Sequence, residues 1–211
     1  MSTSSYLHRT WARTGGLCGI AAILAYFGAA FLPLPDTAAL VLAFAFGPLV
    51  AIASLGLVHA LEGVRPRVGL RIAGFLGAAA GITVLAMLTV QQALFAAYAD
   101  IPQSDPARAT LIALGNAVHF GLDIAWDCLI AASITLFAIQ FWRVSVFGKA
   151  LSITGVACGA LLFAINMAAF PQPPDSIGWL DMGPLCALWM LVVYGWMVFT
   201  RCRSASAAHP Q

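Results

Sequence analysis

The chain alternates between long apolar runs and short polar breaks. Six runs stand out, at 15–32, 38–59, 68–97, 124–142, 150–170 and 183–200. Apolar residues within them are continuous rather than alternating, and Ala, Leu and Gly dominate. They therefore predict α-helices, because the strands of a membrane barrel would show a period of two. A helix crosses a hydrocarbon core of about 30 Å with roughly 20 apolar residues, and each run reaches that range. The predicted fold class is all-α, a polytopic six-helix transmembrane bundle. It occupies residues 15–200, with a tail at 1–14 and another at 201–211.

Composition sharpens this picture. Of the 211 residues, 62% are hydrophobic and 9% charged, and the mean hydropathy is +0.93. Soluble domains carry about a quarter charged residues. The balance excludes a soluble enzyme, a disordered chain and a nucleic-acid partner, and makes the lipid bilayer the expected partner. Arg9 and Arg13 ahead of the first run imitate a signal peptide. No clear A-x-A site follows this run, which continues into a Pro-rich turn, and the residues before Cys18 make a poor lipoprotein box, so the first helix is expected to be retained.

The placement of charge predicts orientation. Nine of the ten basic residues (Arg9, Arg13, Arg65, Arg67, Arg71, Arg143, Lys149, Arg201 and Arg203) fall on one side of a six-span topology, and Arg108 falls on the other. Seven of the eight acids lie on or near the Arg108 side: Asp36, Asp100, Asp105, Asp123, Asp127, Asp175 and Asp181. Glu62 is the exception. Basic loops stay in the cytoplasm, so both termini are expected there.

The three outward-running helices share a pattern. Each begins near a basic residue and carries a Gly pair four apart: Gly15/Gly19, Gly77/Gly81 and Gly155/Gly159. Each ends in two alanines, an aromatic residue and an Asp/Pro-containing turn. Three helical hairpins of common origin would explain this; so would the general need of membrane hairpins for small residues and Pro turns. Glycine lets helix backbones approach in lipid. The pairs are expected to join spans within the chain, or else to join it to a second copy or a membrane-protein partner.

Candidate chemistry gathers before and within the fourth span. Asn116, His119, Asp123 and Asp127 are spaced three, four and four apart, which puts them along one helix face. Ser104-Asp105-Pro106 reads as a helix start, giving a helix of about 55 Å. Measured from Arg143 at the inner border, Asp127 stands about 24 Å up, Asp123 about 30 Å and His119 about 36 Å. The face therefore belongs to the outer interface, where Gly115 and Gly121 would let residues 106–120 bend along the surface. Asn166 and Asp181 from the last two helices reach a similar level, as do Gln91 and Gln92. Two carboxylates and an imidazole could hold a divalent metal (His119, Asp123, Asp127) or serve a proton or solute. The same residues also fit a hydrated helix face whose hydrogen bonds lock the bundle.

Other chemistry is absent from the sequence. It has no P-loop, and its only lysine, Lys149, sits at a membrane border, which disfavours a retinal Schiff base. His59 and His119 fall at opposite ends, which disfavours bis-His haem. The five cysteines form no C-x2-C pair and read as apolar filler, although Cys128 and Cys186 share the outer half. No cofactor is expected beyond that divalent metal. The run Gly115-x3-His119-x3-Asp123-x3-Asp127 comes near the motif of CDP-alcohol phosphotransferases but lacks its D-x2-D-G half; Asn116 stands seven residues from Asp123, where the prenyltransferase motif needs four. Trp11, Trp142, Trp179 and Tyr98 fall at predicted interfaces and read as anchors, whereas Trp189 and Trp196 lie inside the last span.

Two stretches, G-L-D-I-A-W-D at 121–127 and N-x3-F-P-Q-P-P-D-x2-G-x2-D-x-G-P-L-x3-W at 166–189, resemble uncharacterised bacterial multi-pass membrane proteins of unknown function. The resemblance implies a bacterial inner-membrane protein and carries no activity or catalytic residues with it. Two functional classes follow from the sequence. One is a small non-enzymatic transport, sensing or structural module, which is the expected reading. The other is an intramembrane metal-dependent enzyme with an outward-facing His/Asp site. Catalytic sites usually need more convergent polar groups than one helix face and a few scattered residues.

The topology is testable by labelling. A cysteine at Ser104, introduced after the native cysteines are replaced, is expected to react with a membrane-impermeant maleimide from outside intact cells. Reaction from the cytoplasmic side alone would reverse the orientation.

Overall fold

The computed structural model describes residues 3–62, 68–142 and 144–206. Six α-helices follow in order: α1 (Thr3–Phe31), α2 (Asp36–Glu62), α3 (Val68–Ala99), α4 (Pro106–Phe141), α5 (Val146–Ala169) and α6 (Gly183–Ser206). A short 3-10 turn at Pro174–Ile177 lies between α5 and α6. The described residues contain no strand. Five helices are long and apolar enough to cross a membrane, and the apolar part of the sixth, Gly183–Phe199, is shorter. Of the basic residues that set the expected orientation, Arg65, Arg67 and Arg143 lie outside the described residues, as do the side chains of Arg201 and Arg203 and that of the acid Asp175.

Several helices extend beyond the apolar runs. The tail expected at 1–14 is helical from Thr3 onward, since neither Gly nor Pro interrupts the stretch before Gly15. The fourth helix starts at Pro106 and runs unbroken through Gly115 and Gly121. The Asp105 carboxylate accepts the Ala107 N–H at 2.8 Å and Pro106 fills the first turn, so the N-terminus is capped as its sequence specifies. At the start of α5 the Ser145 hydroxyl accepts the Gly148 N–H at 3.0 Å.

Each helix packs against its neighbours in sequence, and α6 returns to pack against α1 and α5. The six helices therefore form a closed, antiparallel ring. One end carries both termini, and the other carries the α1–α2, α3–α4 and α5–α6 connections. The interior is filled by Val50, Ala53, Leu70, Ala73, Phe137, Ala138, Phe141, Leu162, Val193 and Met197, all essentially inaccessible. The outside is apolar too: Phe75 is 71% exposed, Ile82 66% and Leu24 61%. Side chains of this size, repeated around the ring, require a hydrocarbon solvent.

Since lipid tails are as apolar as leucine, the helices are held by close packing and interhelical hydrogen bonds. All six paired glycines lie against other helices of the same chain. A Cβ on Gly15 would stand 2.5 Å from Gly56 Cα of α2, and one on Gly19 would enter the Tyr194 ring of α6. Gly77 faces Ser54 of α2 and Ser133 of α4; Gly81 faces Gly47 and Ala51 of α2. Gly155 faces Trp189 and Ala138, and Gly159 faces Ala131 and Thr135. These faces are filled from within the chain. Within the core, Ser133 Oγ of α4 donates to the Ala73 carbonyl of α3 at 2.8 Å, and Trp189 Nε1 of α6 donates to the Leu151 carbonyl of α5 at 2.9 Å.

Gly77→Leu and Gly155→Leu are each expected to cost about 1–3 kcal/mol or more by forcing these contacts apart. Gly121→Leu, where a Cβ meets nothing within 4 Å, is expected to be near neutral. Thermal unfolding in detergent reads all three; equal melting temperatures would remove the packing role of the glycines.

Candidate functional site

At the end of the ring opposite the termini the helices enclose a cavity of about 480 Å³. All six helices line it. α4 contributes His119, Phe120, Asp123, Trp126, Asp127 and Ile130, because positions three and four apart share a helix face. Tyr26 comes from α1, Phe46 from α2, Met87 from α3 and Leu162 from α5. Asp181 sits on the rim, just before Cys186 and Met190 of α6. From His119 to Ile130 the lining extends about 16 Å along α4.

Asp127 is the innermost carboxylate. Asn166, on α5 and 1% exposed, is within hydrogen-bonding reach of it and also donates through Nδ2 to the Leu162 carbonyl at 3.0 Å. Asp123 and Asp181 lie close enough to Asp127 to act on it electrostatically. The Asp181 carboxylate accepts the Gly183 N–H at 2.7 Å, so it satisfies the first N–H of α6 as well as edging the cavity. Two buried polar atoms are without a hydrogen-bond partner among the described residues, His119 Nδ1 and Asn166 Oδ1.

The remaining wall is apolar and aromatic. The Tyr26 and Phe46 rings lie 5.6 Å apart, and Phe46 meets Trp126 edge-on at 5.6 Å. Tyr26 stands within electrostatic range of Asp123, Asp127 and Asp181. No Lys or Arg is among the described lining residues. Arg108, the basic residue nearest in sequence, is held elsewhere: its guanidinium donates to the Ile101 carbonyl and lies 5.8 Å above the Tyr98 ring.

The sequence-predicted residues thus divide. His119, Asp123, Asp127 and Asp181 line one cavity, and Asn166 backs Asp127. Asn116 does not line it and is exposed, although it points in nearly the same helical direction as Asp127. It stands about 16 Å further along α4, past the rim. Gln91 and Gln92 are half-buried and outside the lining. His119, Asp123 and Asp127 do not bring three donor atoms within 4.8 Å of one another, so they form no ready metal cage. Cys186 lies beside Cys158 of α5 rather than Cys128, and these three thiols are free. Tyr26 and Phe46 went unnoticed in the sequence because they sit inside uniform apolar runs.

Comparison of the chain with family models, curated proteins and solved structures gives no match.

Asn166→Leu is expected to destabilise the protein by about 1–3 kcal/mol, because it removes a buried donor from the innermost carboxylate. Thermal unfolding checks this. A melting temperature equal to wild type would mean that the amide does not support Asp127.

Proposed function

We propose that the protein is a multi-pass protein of the bacterial inner membrane, with both termini cytoplasmic, and that it serves as a non-enzymatic transport or sensing module. Its cavity takes a small organic cation from the outer side. The observation that carries this reading is the convergence of Asp123, Asp127 and Asp181 on one cavity with no Lys or Arg among its described lining residues. Carboxylates gathered in a site of reduced polarity call for a positive partner. The aromatic wall favours an organic cation over a bare metal ion. Tyr26, Phe46 and Trp126 offer ring faces that attract cations and apolar area for a hydrocarbon body. The volume falls within the roughly 300–1,000 Å³ of small-molecule sites. Asn166 orients Asp127, and the unpartnered His119 Nδ1 offers the ligand a polar contact near the mouth.

The metal-dependent enzyme finds less support, since its three donors would first have to converge. The orientation rests on the distribution of basic residues, and the bacterial inner membrane rests on the resemblance.

Tetraphenylphosphonium is a suitable probe, because it joins a positive charge to an aromatic body. Calorimetry on the purified protein is expected to show binding that weakens at least about tenfold, or 1.4 kcal/mol, in Asp127→Asn. The substitution keeps the side-chain shape and one acceptor, so the fold should persist. No binding to the wild type, or equal binding to both proteins, would defeat the reading.

A further inference from the structure

The termini-bearing end of the ring holds a second cluster of ligating side chains, remote from the cavity. His8 of α1 and His59 and Glu62 of α2 bring His Nδ1, His Nδ1 and a carboxylate oxygen within 4.8 Å of one another. Along α1, His8 lies about 27 Å from Tyr26 of the cavity. The two sites are therefore independent.

We propose that His8, His59 and Glu62 bind a divalent transition-metal ion of the zinc type. The two Nδ1 atoms are 3.2 Å apart. Two nitrogens held about 2.0–2.1 Å from a tetrahedral ion would be separated by about 3.3–3.4 Å, so the rings already stand at the spacing of a tetrahedral edge. Glu62 Oε2 lies 3.6 Å from His59 Nδ1 on the adjoining side. His59 Nδ1 thus meets both the His8 nitrogen and the Glu62 oxygen, and one ring proton serves two such acceptors poorly. A cation between them serves all three at once. Two imidazoles and a carboxylate form a zinc-type donor set with a fourth position left for water or another ligand.

The surroundings support the ligands. Arg71 Nε, from the start of α3, donates to Glu62 Oε1 at 3.3 Å and leaves Oε2 for the ion. The Trp11 ring lies 5.4 Å from the His59 ring at 33°, which restrains its rotation. The Gly15–Gly56 crossing brings the two backbones together two turns from His8 and one turn from His59. Both halves of the site therefore stand on rigid helices in close contact. A bound ion would clip the beginning of α1 to the end of α2, and through Arg71 it would reach the start of α3.

The test uses full-length protein without a polyhistidine tag, stripped with a chelator and titrated with Zn²⁺ and Co²⁺. One ion per chain is expected, with the visible absorption of tetrahedral Co²⁺ and a rise in melting temperature that the chelator reverses. His59→Ala and His8→Ala are each expected to abolish the Co²⁺ spectrum. Arg71→Gln should weaken binding by about 10–100-fold by freeing the carboxylate. His8→Ala provides the second variant should His59→Ala fail to fold, since His8 lies near the start of its helix. Absence of stoichiometric binding, or binding that survives both His8→Ala and His59→Ala, would overturn the proposal. Loss on His119→Ala with His59→Ala intact would assign the ion to the cavity, and would overturn it equally.

Discussion

Close approach of helix backbones is the constraint on which the rest of this protein depends. In a hydrocarbon solvent apolar side chains gain little from meeting one another, so association relies on dispersion contacts at short range. The paired glycines sit on α1, α3 and α5, and each pair serves both ring neighbours of its helix. Gly15 lies against α2 and Gly19 against α6; Gly77 lies between α2 and α4; Gly155 lies between α4 and α6. Alternate helices supply the glycine pairs, and the others meet them with small residues such as Gly56, Gly47 and Ala131 or with side chains that fill the groove, including Tyr194, Trp189, Ser54 and Ser133. Closing a six-membered ring this way needs three double-sided helices, and the sequence pattern contains three.

The two polar clusters are consequences of that closure. At one end the Gly15–Gly56 contact holds α1 and α2 so near that His8 and His59 meet. At the other, bulky rings from α1, α2 and α4 stand between the helices and the core opens into a cavity. The carboxylates of α4 then face an enclosed space, where their charge is felt more strongly than at an open surface. Asn166 is the only amide on α5, and its position opposite Asp127 marks it as a cross-helix partner.

The legible part of the fold is the part governed by local pattern. Continuous apolar runs predicted the all-helical bundle, and Asp105-Pro106 predicted the start of α4, because a side-chain cap acts within two residues. The spacing of His119, Asp123 and Asp127 placed them on one face, since helix geometry alone sets that direction. The same periodicity included Asn116, which shares the direction but lies beyond the rim. A one-helix projection records angle and ignores where the neighbouring helices end. The Cys158–Cys186 contact escaped because only Cys128 was grouped with Cys186 in the outer half, whereas the packing of α5 against α6 brings Cys158 to the level of Cys186.

By itself, then, the sequence determined the solvent the protein requires, its helical class, the small-residue faces and the α4 carboxylate row, because each follows from residues near one another along the chain. Only the tertiary structure decided which helices those faces join, that Tyr26 and Phe46 wall the carboxylates, and that His8 meets His59 across fifty-one positions. A uniform apolar run carries no mark of rotation about its own axis. Rotation is set when six helices close on one another, and it decides which side chains share a space.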